Sequence, residues 1–263
     1  MEFKSTGSRQ YVGVSTKMYL GYQASLDWLA GVRDEVLARP ALAGTVEVFV
    51  APSFPVLESA RRILDGSGVL LSAQNSSAGG GALTGEVSPA LLAELGVELV
   101  EIGHAERRRL FGEDDDVVAL KTAAVAAAGM TPLLCIGENE QRSAAEAADS
   151  CFQQVRSALG GTLDPEAVVL AYEPVWAIGA EKPAPHDYVN DVVAGLRKRL
   201  AEYSGGSGQK PGGSGLAIVY GGSAGPGLLP RLGSVDGLFL GRFAHDPANL
   251  GAVLDEALGR AAH

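Results

Sequence analysis

The sequence predicts an α/β protein built as a single (β/α)8 barrel, and three observations support this fold class. The chain has 263 residues, close to the roughly 250 that one such barrel contains. Eight short apolar runs rich in Val, Ile and Leu recur along it, as expected for parallel strands buried on both faces. Longer stretches rich in Ala, Leu and charged residues separate these runs, so strands and helices are predicted to alternate.

Each predicted strand is an apolar run that ends in small or polar residues. In chain order the runs are YVGVST (11–16), VEVFVAP (46–52), VLLSAQ (69–74), VELVEIG (97–103), TPLLCIG (131–137), AVVLAYE (167–173), LAIVYGG (216–222) and GLFLG (237–241). We expect one helix after each strand, because right-handed crossovers then close eight parallel strands into a barrel. The clearest helical patterns are 25–38, 116–129, 141–159 and 186–203. An open doubly wound sheet is disfavoured, since VSTKMYLG after the first run has no G-x-G-x-x-G fingerprint of a dinucleotide site.

The composition is that of one globular domain, which we expect to span residues 1–263. Apolar residues make up 46% and charged residues 20%, enough material for a sizeable core. The net charge of −10 argues against a nucleic-acid partner, because the one basic cluster, RRR at 107–109, is too short to form a binding surface.

The cysteines and the N-terminal segment predict the compartment. Cys135 and Cys151 are too few for a disulfide framework and lack zinc-type spacing, so no structural metal is expected. MEFKSTGSRQ has no apolar signal-peptide core, and no apolar run reaches 18 residues. We therefore expect a cytoplasmic protein without a membrane partner, in which residues 1–10 form a flexible segment.

The first predicted strand ends in Ser15, Thr16 and Lys17. Side chains alternate along a strand, so Ser15 and Lys17 share one face and Thr16 takes the other. Barrels carry their functional residues at the carboxyl ends of the strands, where an inward Lys17 places an ammonium group at the mouth. A lysine that has left the strand and is solvated is the alternative.

The fourth predicted strand is followed at once by His104 in the motif EIGHAERR. A histidine at the entry to a helix feels the positive end of the helix dipole, which favours a neutral imidazole able to polarise a carbonyl group. A packed or solvated loop histidine is the alternative. Glu106 is expected to pair with Lys17 or with an arginine, in a supporting role.

The sixth predicted strand ends in Glu173, followed by the loop PVWAIGAEKPAP. A carboxylate against apolar walls has a raised pKa and can act as a general base near neutral pH. The segment 174–185 is bounded by prolines and is typical of a lid that excludes water. An ordinary surface glutamate followed by an ordinary loop is the alternative.

The seventh and eighth predicted strands end in YGGSAGPG and LGRFAHDP. Small residues allow backbone N–H groups to approach an anion, and in barrels the loops after these two strands frequently bind phosphate. A base, an electrophile, a cation and an anion site would then meet at one end of the barrel.

These motifs resemble the triosephosphate isomerase family, whose fold is the TIM barrel, and the likeness covers nearly the whole chain. AYEPVWAIG, IGHAERR, LLCIGE, GALTGEVS and YGGS occur in the family's order. The resemblance implies that Glu173 is the base, that His104 polarises the substrate oxygens through an enediol and that Lys17 stabilises negative charge. It implies phosphate binding by the backbone N–H groups of Gly179, Ser223, Gly241 and Arg242. Loop 79–86 resembles the family's dimer loop, so a homodimer is expected. No cofactor or metal is expected, because proton transfer between neighbouring carbons needs only a base, an electrophile and charge stabilisation.

The sequence departs from the family pattern at several positions. The first strand carries Ser15 and Thr16 where the family usually has Asn and Trp, and Ala105 replaces the serine after the histidine. In the lid, 180–181 reads Ala-Glu. The last phosphate loop has Gly241 and Arg242 in place of a Gly-Gly pair, so Arg242 either adds a cation at the phosphate or points outward to a carboxylate.

The departures leave three functional hypotheses. Replacing Asn by Ser15 removes volume beside the reacting carbons and leaves a hydroxyl group, which favours a phosphorylated sugar with an extra hydroxymethyl group. The motifs STKMYLG, YGGSAGPGLL and FLGRFAHDP are more similar to the tetrulose-phosphate isomerases of erythritol and threitol catabolism, which suggests L-erythrulose 1-phosphate as substrate and D-erythrulose 4-phosphate as product. A divergent triosephosphate isomerase is the second hypothesis. A phosphosugar-binding protein without activity is the third, although such a protein has no need of a base.

Overall fold

The computed structural model describes residues 9–179, 183–205 and 216–261, and its eight strands form one closed parallel barrel. Each strand pairs with the next along the chain, and the last pairs with the first. The strands are β1 (Gln10–Ser15), β2 (Val46–Ala51), β3 (Leu70–Ala73), β4 (Leu99–Ile102), β5 (Thr131–Ile136), β6 (Val169–Tyr172), β7 (Ala217–Tyr220) and β8 (Gly237–Leu240). The predicted fold class, a (β/α)8 TIM barrel, is confirmed.

The helices surround this barrel. Within the described ranges they are α1 (Tyr22–Leu37), α2 (Leu57–Ile63), α3 (Pro89–Glu94), α4 (Ala105–Phe111), α5 (Asp115–Ala127), α6 (Ala144–Leu159), α7 (His186–Gly205) and α8 (Pro247–Ala261). Their apolar sides pack on the outward residues of the strands in one large buried cluster.

The expectation of one helix after each strand is wrong in two places. Two helices, α4 and α5, follow β4, because Gly112 ends α4 in the left-handed conformation (φ 68°) and the Asp114 carboxylate caps α5 by accepting from the Val117 N–H. After β7 the described residues form a short 3-10 turn, Leu229–Arg231, where an α-helix was expected. The Gly- and Pro-rich sequence of this connection does not favour a helix.

The expectation that residues 1–10 form a flexible segment is wrong for Gln10. Gln10 already belongs to β1, where it lies opposite Val46 of β2, and residues 1–8 lie outside the described part of the chain. The single-domain assignment for 1–263 stays a prediction.

The interior of the barrel is filled by large apolar side chains at its middle level. The rings of Phe49 and Phe239 stack there with centroids 5.6 Å apart. Gly13 lies opposite both residues in the strand register, and a Cβ atom at Gly13 would come within 2.1 Å of the Phe49 ring. One level higher, at the carboxyl end, Ser15 and Glu101 are buried inside the barrel, with Glu173 directly after β6. Apolar side chains therefore fill the middle of the barrel, and the polar side chains lie above them at the carboxyl ends of the strands.

Candidate active site

A cavity of about 1000 Å³ opens at the carboxyl ends of the strands. The structure brings every residue predicted for the site to its lining: Ser15, Lys17, His104, Glu173, Gly179, Ser223, Gly241 and Arg242. The cavity has two unlike sides. We call Ser15, Lys17, His104, Glu106 and Glu173, together with Glu101, which is hydrogen-bonded to Ser15, the side-chain wall. We call Gly179, Gly222, Ser223, Gly241 and Arg242 the glycine-rich wall.

Lys17 lies just beyond β1 and turns into the cavity. Its backbone adopts the left-handed region (φ 48°), which L-residues with a Cβ atom rarely occupy, at a cost of about 1–3 kcal/mol. Hydrogen bonds to the Lys17 carbonyl hold this conformation: it accepts from Ser53 Oγ at 2.8 Å and from Gln74 Nε2 at 2.9 Å, with a longer bond from Thr16 Oγ1 at 3.4 Å.

The ammonium group of Lys17 donates to Glu106 Oε1 at 2.7 Å, so the predicted pairing of these two residues is confirmed. Burial is the largest single effect and lowers the pKa of Lys17, but the hydrogen bond from Lys17 to Glu106 and the charges of Glu106, Glu173 and Glu101 together raise the pKa above its ordinary value. Lys17 is consequently a fixed cation rather than a solvated surface lysine.

His104 caps the start of α4, and its ring orientation is set by the backbone. Nδ1 accepts a hydrogen bond from the Glu106 N–H at 3.1 Å, which places the ring proton on Nε2. Burial, with a smaller effect of the Lys17 charge, lowers the pKa of His104 to about 4. The imidazole is therefore neutral at physiological pH, and burial is a larger cause than the charges around it.

Glu173 is the first residue after β6 and is almost fully enclosed, with 3% of its surface exposed. Its Oε2 atom lies 3.4 Å from His104 Nε2 and has no hydrogen-bond partner among the described residues. Burial raises the pKa of Glu173 well above the ordinary value, and the charge of Glu101 adds to this effect. Such a carboxylate is a stronger base than an exposed one.

The position of Glu173 is fixed by its close packing. Its backbone N–H donates to the Ile136 carbonyl at 2.8 Å, and Gly137 lies so close that an added Cβ atom would clash with the Glu173 carbonyl. Gly221 packs on the side chain itself, since a Cβ atom there would lie 2.7 Å from Glu173 Cγ. The carboxylate thus has little freedom away from the cavity.

The segment after Glu173 is anchored at its base by Glu138. The Glu138 carboxylate accepts hydrogen bonds from Trp176 Nε1 at 2.7 Å, the Tyr188 hydroxyl at 2.8 Å and the Tyr172 hydroxyl at 3.2 Å. Gly179 has a φ of 73°, a conformation that favours glycine. Residues 180–182 of the predicted lid, which include the Ala-Glu departure, lie outside the described part of the chain.

The glycine-rich wall consists mainly of backbone. A Cβ atom at Gly241 would meet nothing within 4 Å, so this side of the cavity is open. Arg242 is exposed, and its guanidinium carbon lies 5.4 Å from the centre of the Tyr19 ring, a cation–π contact at the rim. Arg242 thus lies at the rim of the cavity, and its role as a cation at the phosphate stays a prediction.

Ser15 and Thr16 lie on opposite faces, as the alternation predicts. Thr16 is buried outside the cavity, whereas Ser15 Oγ donates to Glu101 Oε2 at 3.1 Å inside the barrel. Burial, partly offset by Lys17 and Ser15, raises the pKa of Glu101 to about 7. Sequence reasoning missed Glu101, although a charged residue two positions after Leu99 in an apolar strand was a usable signal.

Ser53, Gln74 and Glu138 were also missed, and the sequence carries no local signal for their contacts. Within the described ranges, no group of three or more His, Cys, Asp and Glu side chains is arranged to hold a metal ion. No helix of the described residues is both long and apolar enough to cross a bilayer.

Comparison with known proteins places these features in context. A family model described as triosephosphate isomerase matches residues 10–257. An L-erythrulose-1-phosphate isomerase of Pectobacterium atrosepticum is 47% identical over 252 residues, covering 94% of this chain and 95% of the relative. One of the same name from Rhizobium etli is 40% identical over 244 residues, covering 89% and 87%. A triosephosphate isomerase of Chlorobium phaeovibrioides is 39% identical over 216 residues, covering 80% and 85%.

Proposed function

The chain belongs to the triosephosphate isomerase family, and from this premise we propose that it is a cofactor-independent isomerase that interconverts L-erythrulose 1-phosphate and D-erythrulose 4-phosphate. The observation that carries the proposal is the buried Glu173 carboxylate, which has one oxygen unpartnered among the described residues and lies 3.4 Å from His104 Nε2. A base and a neutral hydrogen-bond donor side by side are what proton transfer between adjacent carbons requires.

In the proposed reaction, Glu173 removes the proton from C3 of L-erythrulose 1-phosphate, next to the C2 carbonyl. The electron pair of the C–H bond forms the C2–C3 double bond of an enediol, and the C2 oxygen takes a proton. Glu173 then returns a proton to C2 while the C3 oxygen loses its proton and becomes the new carbonyl. No electron leaves or enters the sugar, so the chemistry needs no redox cofactor.

Other groups of the side-chain wall would interact with the C2 and C3 oxygens of the sugar. The Nε2–H of His104 is directed toward the region beside Glu173 and would hydrogen-bond the two sugar oxygens in turn. The ammonium group of Lys17, fixed by Glu106, would stabilise the negative charge that develops on them. The nearby positive charge also helps to keep His104 neutral, as this role demands.

The phosphate group is proposed to bind at the glycine-rich wall. The backbone N–H groups of Gly179, Ser223, Gly241 and Arg242 would hold its oxygens, and the Arg242 side chain would add a positive charge at the rim. With the phosphate there and the reacting carbons beside Glu173 and His104, the far end of the sugar lies toward β1.

The choice of a four-carbon sugar rests on Ser15 and on the relatives. L-Erythrulose 1-phosphate equals dihydroxyacetone phosphate with one hydroxymethyl group added at the end far from the phosphate, and the small Ser15 side chain leaves volume at that end. Two of the relatives with high coverage are named L-erythrulose-1-phosphate isomerase, which supports the same choice. We propose a role in erythritol catabolism, in keeping with the likeness of the strand-end motifs to tetrulose-phosphate isomerases.

A parallel assay of both sugar phosphates in deuterated water tests the proposal. We expect proton NMR to detect formation of D-erythrulose 4-phosphate and deuterium incorporation at carbon. Rapid interconversion of triose phosphates with no reaction of the tetrulose would establish the second hypothesis, a triosephosphate isomerase. Exchange with neither sugar would contradict the isomerase class and leave the phosphosugar-binding protein.

Oligomeric state and location belong to the same proposal. Residues 80–86 of the loop GGGALTGE are all exposed, and Leu83 has 48% of its surface exposed. We propose that this loop packs against a second copy in a cytoplasmic homodimer. Light scattering after size-exclusion chromatography should give about twice the 27.1 kDa chain mass, and a monomeric mass would contradict the assignment.

A further inference from the structure

Glu101 is a buried carboxyl group for which the reaction described above has no use. Its side chain is 5% exposed, and the described residues supply it with one hydrogen bond, from Ser15. Its second oxygen, Oε1, lies 3.9 Å from His104 Nε2, too far for a hydrogen bond. Because burying a carboxylate without full hydrogen bonding is costly, the fold alone gives no reason for a glutamate here.

The location of Glu101 connects it to the far end of the sugar. Glu101 points into the barrel from β4, where it is hydrogen-bonded to Ser15 of β1, a residue of the cavity lining, and lies beside His104. The phosphate site lies across the cavity, at the ends of β7 and β8. A sugar that spans the cavity with its reacting carbons at Glu173 would therefore direct its last carbon toward the Ser15–Glu101 pair.

We propose that the Glu101 carboxylate, oriented by its hydrogen bond from Ser15, binds the hydroxyl group on the sugar carbon farthest from the phosphate, which makes Glu101 a specificity-determining residue. The inference rests on the proposed tetrulose-phosphate isomerase activity. The sugar hydroxyl donates to Glu101 Oε1, while the Ser15 hydroxyl keeps its own hydrogen bond to Glu101 Oε2. A triose phosphate has no such carbon and leaves the Glu101 carboxylate without this hydrogen bond. Because an unpaired buried polar group is costly, Glu101 and Ser15 favour a four-carbon substrate over a three-carbon one.

The test compares L-erythrulose 1-phosphate with its 4-deoxy analogue, in which a methyl group replaces the hydroxymethyl group. Both react at the same carbons, so the ratio of their kcat/KM values isolates the distal hydroxyl. We expect a wild-type ratio of at least about tenfold, since sites built to bind a hydroxyl reject analogues that lack it. In Glu101→Leu the ratio should fall to about one, with Glu101→Gln in between.

Controls separate recognition from folding. Glu98→Gln makes the same change of a carboxyl to an amide just before β4, at the end of the strand away from the cavity, where the side chain accepts from the Leu71 N–H, and it should leave the ratio at the wild-type value. If Glu101→Leu does not fold, Glu101→Gln carries the test. An unchanged ratio in a folded Glu101 variant would overturn the inference even if total activity fell. A merely structural role of Glu101 would lower kcat/KM for both substrates equally.

The pH dependence of the same ratio is a second readout. Glu101 accepts a hydrogen bond as a carboxylate, and its pKa is raised to about 7, so the wild-type ratio should fall as the pH drops from about 8 to about 6. The ionisable groups that face it are Lys17, His104, Glu106, Arg107, Cys135 and Glu173. These remain in Glu101→Gln, whose ratio should not vary with pH, and a parallel decline in both proteins would contradict the role of Glu101.

Failure of the two proposals is distinguishable. Wild-type protein that turns over triose phosphate but not the tetrulose phosphate removes the proposed function, and the inference with it. Wild-type protein that converts the tetrulose phosphate and its 4-deoxy analogue at equal rates leaves the function standing and removes the inference alone.

Discussion

The two walls of the cavity are built in opposite ways. The side-chain wall consists of buried, charged or hydrogen-bonding side chains that contact one another, such as Lys17 with Glu106 and Ser15 with Glu101. The glycine-rich wall consists of backbone and small residues, with one exposed arginine at its rim. Interlocked side chains fix the pKa values and positions that proton transfer depends on, whereas backbone N–H groups suffice for a phosphate. Substitutions on the first wall should therefore reduce kcat, and those on the second should mainly raise KM.

The largest effect is expected for Glu173→Gln. The amide has nearly the same shape but cannot take a proton, so kcat should fall by about 10²–10⁴-fold. Phosphate binding at the other wall should persist, because no glycine-rich-wall contact is changed. Deuterium exchange measures the first quantity and calorimetric titration with inorganic phosphate the second. Retained turnover would refute Glu173 as the base.

A matched pair of glycine substitutions compares the walls directly. In Gly221→Ala the added methyl group overlaps the Glu173 side chain, and a base displaced by about 1 Å should lower kcat by about 10²-fold. In Gly241→Ala the methyl group meets no protein atom within 4 Å, so kcat should stay unchanged. KM should rise, because the methyl group lies at the proposed phosphate site. Steady-state kinetics of both variants measure these changes in kcat and KM. Equal kcat values would mean that the side-chain wall tolerates displacement as well as the other does.

Ser15→Asn sharpens the comparison within the side-chain wall. The larger amide fills the volume next to the distal carbon, so kcat/KM for the tetrulose phosphate should fall about tenfold more than for the triose phosphate. Competition between the two sugars in one reaction, followed by phosphorus NMR, gives this ratio. Equal losses for both would remove Ser15 from the specificity argument.

The smallest effect is expected for Arg242→Leu. An exposed cation at the rim contributes little in water, so KM should rise only about two- to tenfold, with kcat unchanged. The difference from wild type should shrink as salt is added, because ions screen exposed charges. A lower kcat would contradict this assignment and indicate that Arg242 contributes to the proton-transfer step.

The strand ends were predictable because a barrel brings the carboxyl ends of all its strands to one mouth. That rule placed Lys17, His104 and Glu173 together from their positions alone. It did not identify Glu101, which lies inside the apolar run VELVEIG, where burial of a charge contradicts the pattern that defines the strand.

Other contacts were beyond sequence reasoning for a physical reason. Ser53 and Gln74 hold the Lys17 carbonyl across 36 and 57 residues of chain, so no local pattern contains both partners. The division of the segment after β4 into α4 and α5 depends on the left-handed Gly112, a choice that the repeating pattern of apolar residues does not specify.

The left-handed backbone of Lys17 has a consequence for protein engineering. Glycine adopts φ 48° freely, so Lys17→Gly would relieve the local strain of about 1–3 kcal/mol, offset in part by the loss of the Glu106 ion pair. Screening a library of variants for thermostability alone would therefore not select for retention of Lys17. Directed evolution toward thermostability would tend to discard the activity, and each round needs selection for turnover as well.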